Sequence, residues 1–232
     1  MSASSNIGRA DVLSAGRCTA PNAPVRGGKP GILLTHICAV LFGGGDRSPQ
    51  GYLSPAAADP DGLCVAQAKA TAGALTLNGV AVTGGVGVLN PPRNITIDTS
   101  DAGNTTQVVT ITGLDPVGKA VVQTLTCNGT TEVVGEKLFA QVDSIEVDAA
   151  ITGNIFAGFG LRVGMPFKID SNSILLVQED GVQSTGYTVN EQTNGNMGSL
   201  EFETPPDGNI DYLVVAWVWD TTESAYVGFA PL

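Results

Sequence analysis

Few side chains in this sequence could do chemistry, and they stand apart from one another. His36 is the only histidine, and Cys38 lies two positions after it. In an extended segment such residues share a face about 7 Å apart. That is too far for the direct hydrogen bond that activates a thiol, and no third group stands nearby to orient the imidazole. Glu146 and Asp148 share a face, with Asp143 close by, and Glu201 and Glu203 share another. Paired carboxylates can cleave glycosidic bonds or hold Ca²⁺. Here they fall on the polar side of alternating stretches, so a solvated face is their expected role. Trp217 and Trp219 share a strand face, where burial in a core or a subunit contact is expected. Cys18, Cys38, Cys64 and Cys127 are widely spaced with no CxxC pair, which argues against zinc. The strings Gly43-Gly44-Gly45-Asp46 and Gly158-Phe159-Gly160 lack the spacings that cradle phosphate. The expectation is therefore a chain with no catalytic site, no metal and no cofactor.

Composition narrows the class further. Charged residues make up 14% of the 232-residue chain, against about 25% in an average domain. The 43% apolar content argues against disorder. The 30 glycines favour turns and strands over long helices. The net charge is −11, which speaks against a nucleic-acid partner, since phosphate binding needs Lys and Arg. The charge is uneven: residues 1–60 carry five basic and three acidic residues, whereas 61–232 carry six and nineteen. A mildly basic arm on an acidic body suits docking onto an acidic partner. No apolar leader opens the chain, so synthesis in a reducing cytoplasm with free thiols is expected. The N-x-T triplets at Asn94, Asn104 and Asn128 are then expected to be turn and strand residues.

Alternation of apolar and polar residues places strands at 74–80, 94–98, 106–113, 119–127, 136–148 and 153–159, because successive strand side chains point to opposite faces. Asp115-Pro116-Val117-Gly118 separates two of these runs as a hairpin turn. Val142 breaks the alternation by one, which predicts a bulge. Residues 174–177 fit a strand or a short buried turn of helix, and 200–203 alternate cleanly. Residues 212–219 are apolar on both faces, the signature of a central strand, and 226–229 could pair with them. The predicted fold is all-β, an antiparallel β-sandwich or barrel body with a long irregular N-terminal arm. The division is 1–60 for the arm and 61–232 for the body, with possible sub-domains 61–161 and 162–232.

Six prolines and two glycine clusters break up residues 1–60, which predicts an extended segment. Its one apolar run, residues 31–42, is too short to span a bilayer, so no membrane partner is expected. The run reads as a buried strand or a segment that packs against a partner. Its apolar side chains Ile32, Leu33, Leu34, Ile37, Val40, Leu41 and Phe42 are the candidates for contact with a capsid or with other subunits.

A resemblance bears on the central stretch. Val109-Thr110-Ile111-Thr112-Gly113-Leu114-Asp115-Pro116-Val117-Gly118 leads to Asn128-Gly129-Thr130, then to Val134-Gly135 and Phe139, then to Val142-Asp143-Ser144-Ile145. Gly153-Asn154-Ile155-Phe156-Ala157-Gly158-Phe159-Gly160, Gly164-Met165-Pro166-Phe167 and Pro205-Pro206-Asp207-Gly208 follow. The pattern resembles that of tailed-bacteriophage virion proteins over residues 95–229, departing at Val122-Gln123-Thr124 where a Glu is common. Its motifs are those of turns and strands. The resemblance implies a capsid cement or decoration protein that binds the outside of the major capsid lattice and stabilises it, with a tail-tip or fibre protein that binds a host receptor as the alternative. It implies the major capsid protein and further copies of the chain, as a homotrimer, as partners. The location it implies is the capsid exterior of a virion made in the host bacterial cytoplasm.

Overall fold

The computed structural model describes residues 34–43, 51–167, 169, 171–191 and 198–220. Among the described residues fourteen strands are formed: β1 (Leu34–Phe42), β2 (Asp59–Lys69), β3 (Gly73–Ala74), β4 (Val82–Thr83), β5 (Val86–Thr99), β6 (Val108–Leu114), β7 (Ala120–Thr126), β8 (Val133–Val147), β9 (Ile151–Gly164), β10 (Ile174–Glu179), β11 (Val182–Gln183), β12 (Thr188–Asn190), β13 (Ser199–Glu201) and β14 (Tyr212–Asp220). The all-β expectation is met, and no helix occurs among the described residues.

Two antiparallel sheets result. The larger runs β12-β13-β9-β5-β8-β6-β7, with β2 added to β9, β3 to β8 and β4 to β5, and it curls into a half-barrel. The smaller runs β1-β14-β10-β11. Two cores form among the described residues. The first gathers Ile95, Ile97, Ile111, Phe139, Ile145 and Ile155 inside the curl. The second gathers Phe42, Val163, Met165, Phe167, Leu200, Tyr212 and Val214 between the smaller sheet and the end of β9. Phe202 stacks on Tyr212 with ring centroids 3.9 Å apart and meets Phe42 edge-on, a geometry that adds to simple area burial.

The hairpin β6–β7 forms around the predicted turn. The Asp115 carboxylate accepts from the backbone N–H of Val117 and of Lys119, both at 2.9 Å, and Gly118 supplies the positive φ of 79° that a residue with a side chain tolerates poorly. The predicted bulge is present too: Thr112 pairs with Ser144 but Gly113 pairs with Val142, so one β8 residue has no opposite number. Gly113 is needed there, because a Cβ would come within 2.0 Å of the Gln141 carbonyl oxygen.

Three expectations need correction. Residues 34–42 are not irregular. They form a nine-residue strand paired in unbroken register with β14, because no proline interrupts residues 31–42 and the apolar run is extended. Residues 59–69, across the expected arm–body boundary, form β2 against β9. Residues 74–80 form no continuous strand. They run along β2 through individual bonds such as Asn78 N–H and Gly79 N–H to the Leu63 carbonyl, and Gly79 permits this close approach, since a Cβ there would stand 2.2 Å from the Gly62 backbone. The rest of the expected arm, residues 1–33 and 44–50, lies outside the described residues, as does the pairing expected of 226–229.

Candidate functional site

The candidate contact residues separate into four groups. Ile32 and Leu33 lie outside the described residues. Leu34 and Ile37 stand in β1 opposite Asp220 and Trp217. Val40 and Phe42 are 1% and 0% exposed and belong to the second core, so the fold itself uses them and they present no surface to a partner. Leu41 has the opposite strand parity, facing away from that core, and is half-buried.

The groups singled out for chemistry are parts of the framework. Cys38 is disulfide-bonded, which corrects the free-thiol expectation there and removes it as a nucleophile beside His36. Cys64 and Cys127 are free and buried. Burial pushes the Cys64 thiol up to about 11, so it stays protonated and unreactive at neutral pH. Glu201 pairs with Arg162 at 2.9 Å and accepts from Asn190. Glu203 accepts from the Ser184 hydroxyl and the Gly186 N–H. Asp148 accepts from the Val108 N–H at 2.8 Å. No group of three or more His, Cys, Asp or Glu among the described residues could hold a metal ion.

Two of the three N-x-T asparagines tie loops and strands together. Asn94 is 0% exposed; it donates to the Gly135 carbonyl and accepts from the Arg162 N–H. Asn104 bonds both the carbonyl and the N–H of Thr152. Neither amide can carry a glycan without losing these bonds.

Sequence reasoning missed the most unusual polar group. Arg93 on β5 is 2% exposed. One guanidinium nitrogen donates to the Ala56 carbonyl at 2.8 Å and another to the Gly160 carbonyl, and the group lies 5.3 Å from the centre of the Phe159 ring. Its Nε has no hydrogen-bond partner. Burial lowers its pKa to about 10, with Tyr212 opposing the shift. Arg93 thus pins the connection between β1 and β2 to the larger sheet. Asn90 holds the same connection at Gly51 and Leu53. From the other side, Asp211 accepts from the Ser54 hydroxyl, and the Gly208 N–H donates to the Pro55 carbonyl. Residues 51–58 therefore act as a strap joining the two sheets. No sequence signal names the carbonyls that an arginine will find, although an arginine inside an otherwise buried strand is itself a flag.

Side chains also bridge β7 and the start of β8. With its amide turned so that the oxygen faces them, Gln123 accepts from the N–H groups of Glu136 (2.7 Å) and Lys137 (3.3 Å), and the Lys137 ammonium donates to the Val122 carbonyl at 2.7 Å. Side chains thus occupy backbone groups that would otherwise template another strand. These arrangements hold strands together; none places an acid, a base and a nucleophile around a common point. No family model, curated protein or solved structure matches this chain.

Proposed function

We propose that this chain is a structural virion protein that binds the outside of a phage major capsid lattice and stabilises it. The observation that carries this reading is where the resembling motif falls. Gly113, Asp115 and Gly118 set the β6–β7 hairpin. Gly129 makes the turn before β8 with a φ of 62°, and Phe139, Val142 and Ile145 are 0% exposed in the first core. The likeness is thus to the way a β-rich virion subunit is built, and it reaches function only through that architecture.

Charge supports the same reading. The described body is strongly acidic, while residues 1–33 carry four basic residues and one acidic one. With Val40 and Phe42 used internally, residues 1–33 are the segment this reading assigns to the capsid. A protein that binds the assembled shell but not free subunits stabilises the shell by mass action. An interface of about 1,600 Å² in total suffices for specific attachment. The test is to heat particles with and without the protein and follow DNA release. Release at a higher temperature with the protein present is expected, and equal release temperatures would refute the reading.

A further inference from the structure

Two peptide bonds of the chain join an aspartate to a proline, Asp59–Pro60 and Asp115–Pro116. In acid such a bond breaks more readily than others. The aspartate carboxylate can attack its own carbonyl carbon, and the tertiary-amide nitrogen of proline takes up a proton as it leaves. Both carboxylates fold back over the bond, each accepting from the backbone N–H two residues on: Asp59 from Asp61 at 3.2 Å and Asp115 from Val117 at 2.9 Å. Their surroundings differ. The Asp115 oxygen takes a second N–H, from Lys119, the residue is 8% exposed, and the side chain two positions on is a valine. At the other bond that position is an acid, Asp61. Pro60 and Asp61 are exposed, so water reaches them. The Asp61 carboxyl hydrogen-bonds the Asp59 side chain, the chief reason its pKa stands above the ordinary carboxylate value. The backbone is held as well. Asp59 opens β2 in register with Phe159, and its carbonyl lies so close on Gly158 that no Cβ would fit there. β9 brings Gly158 and Phe159 to this corner, and residues 78–81 bring Gly79 against the Asp61 carbonyl. Neither segment carries a charge.

We propose that the folded chain cuts its own backbone between Asp59 and Pro60 in mild acid. Asp59 and Asp61 then hold one proton between them. The Asp59 carboxylate oxygen bonds to the Asp59 carbonyl carbon and closes a five-membered anhydride. The bond from that carbon to the Pro60 nitrogen breaks, and the nitrogen keeps the electron pair and takes the proton that Asp61 donates. One water opens the anhydride. Asp59 ends with a main-chain and a side-chain carboxyl, Pro60 with a free secondary amine, and a proton released by the hydrolysis restores Asp61. Holding the carboxylate against its target supplies proximity, and a placed acid adds about 10²–10⁴-fold. The pieces 1–59 and 60–232 stay together, because β1 pairs with β14 along its whole length and Arg93 holds the Ala56 carbonyl. The cut thus turns a covalent strap into a docked one.

The isolated protein suffices for the test. It is incubated at about pH 4.5, just above the ordinary aspartate value of about 3.9, or at the lowest pH that keeps its circular dichroism signal, and samples are unfolded for intact-mass measurement. Pieces ending at Asp59 and beginning at Pro60 are expected to accumulate, with Asp115–Pro116 slower by at least about tenfold. In urea sufficient to remove the fold, the two bonds are expected to break at similar rates. Asp59→Ala should stop the cut, and Asp61→Asn should slow it about a hundredfold. In heavy-oxygen water the label is expected in both carboxyl groups of Asp59, whereas direct attack by water would label the main-chain carboxyl alone. No cut, equal rates at the two bonds in the folded chain, a preference that persists in urea, or a rate unchanged by Asp61→Asn would each overturn the proposal.

Discussion

Replacing Arg93 tests how the two sheets are joined. The guanidinium holds the Ala56 and Gly160 carbonyls in a site where the side chain is 2% exposed. Arg93→Met keeps most of the volume and removes both bonds. The Gly160 carbonyl is buried, and leaving it without this donor costs about 1–3 kcal/mol; Ala56 is exposed, so water can replace its lost donor at a smaller cost. Relief from burying a charge with no carboxylate beside it offsets part of that, since replacing buried charges by apolar groups of similar volume is often neutral or better. The two carbonyls belong to different elements, the strap and β9, and methionine satisfies neither, so we expect a net loss of about 2 kcal/mol. For a chain of this length 1 kcal/mol corresponds to about 2–4 °C, which gives a fall in melting temperature of about 4–8 °C. Arg93→Lys keeps the charge but cannot span both carbonyls, and should fall in the same direction. Calorimetry and urea titration of the three proteins measure the effect. A methionine variant as stable as the parent would refute the idea that Arg93 fastens the strap.

Further outcomes follow from the same physics. Cys64 has its thiol pKa raised by burial to about 11, and burial raises Tyr52 to about 12. Raised acid pKa values give stability that is full below the unfolded values of about 8.5 and 10 and lost as pH climbs through the folded ones. Unfolding free energy should therefore decline from about pH 9 upward, and Cys64→Ala should flatten the first part of that decline in pH-dependent urea titrations. Gln123→Ala should expose the Glu136 and Lys137 N–H groups to faster hydrogen exchange, whereas Gln123→Glu, which still offers an acceptor, should leave exchange near that of the parent. Gly113→Ala places a methyl 2.0 Å from the Gln141 oxygen and should cost at least about 1–3 kcal/mol, read as an earlier urea midpoint.

The parts of the fold that were legible in the sequence are those whose signal is local. Alternation with a turn at Asp115-Pro116 specified β6 and β7 within a residue or two, and the break at Val142 specified the bulge. β14 was legible as a central strand because both its parities are apolar. β2 was not legible: its burial follows no period of two and its register against β9 shifts three times, so the pairing is set by its partner. β1 was legible only as one of two readings, since the proline-free run 31–42 fits a buried strand or a partner contact, and the pairing with β14 decides for the strand. The contact role expected for Val40 and Phe42 failed for a related reason. Apolar runs have the same composition whether they pack at home or on a partner, and only the pairing with β14 distinguishes the two. Arg93 lay beyond sequence reasoning because both its acceptors are main-chain oxygens brought close by tertiary structure.

The central claim is that this chain decorates a capsid, and a cryo-EM map of intact particles tests it most directly. We predict density for the paired four- and ten-stranded sheets at symmetry-repeated positions over the outer surface of the head. Density confined to a few copies at the tail, or absent from the particle, would contradict it.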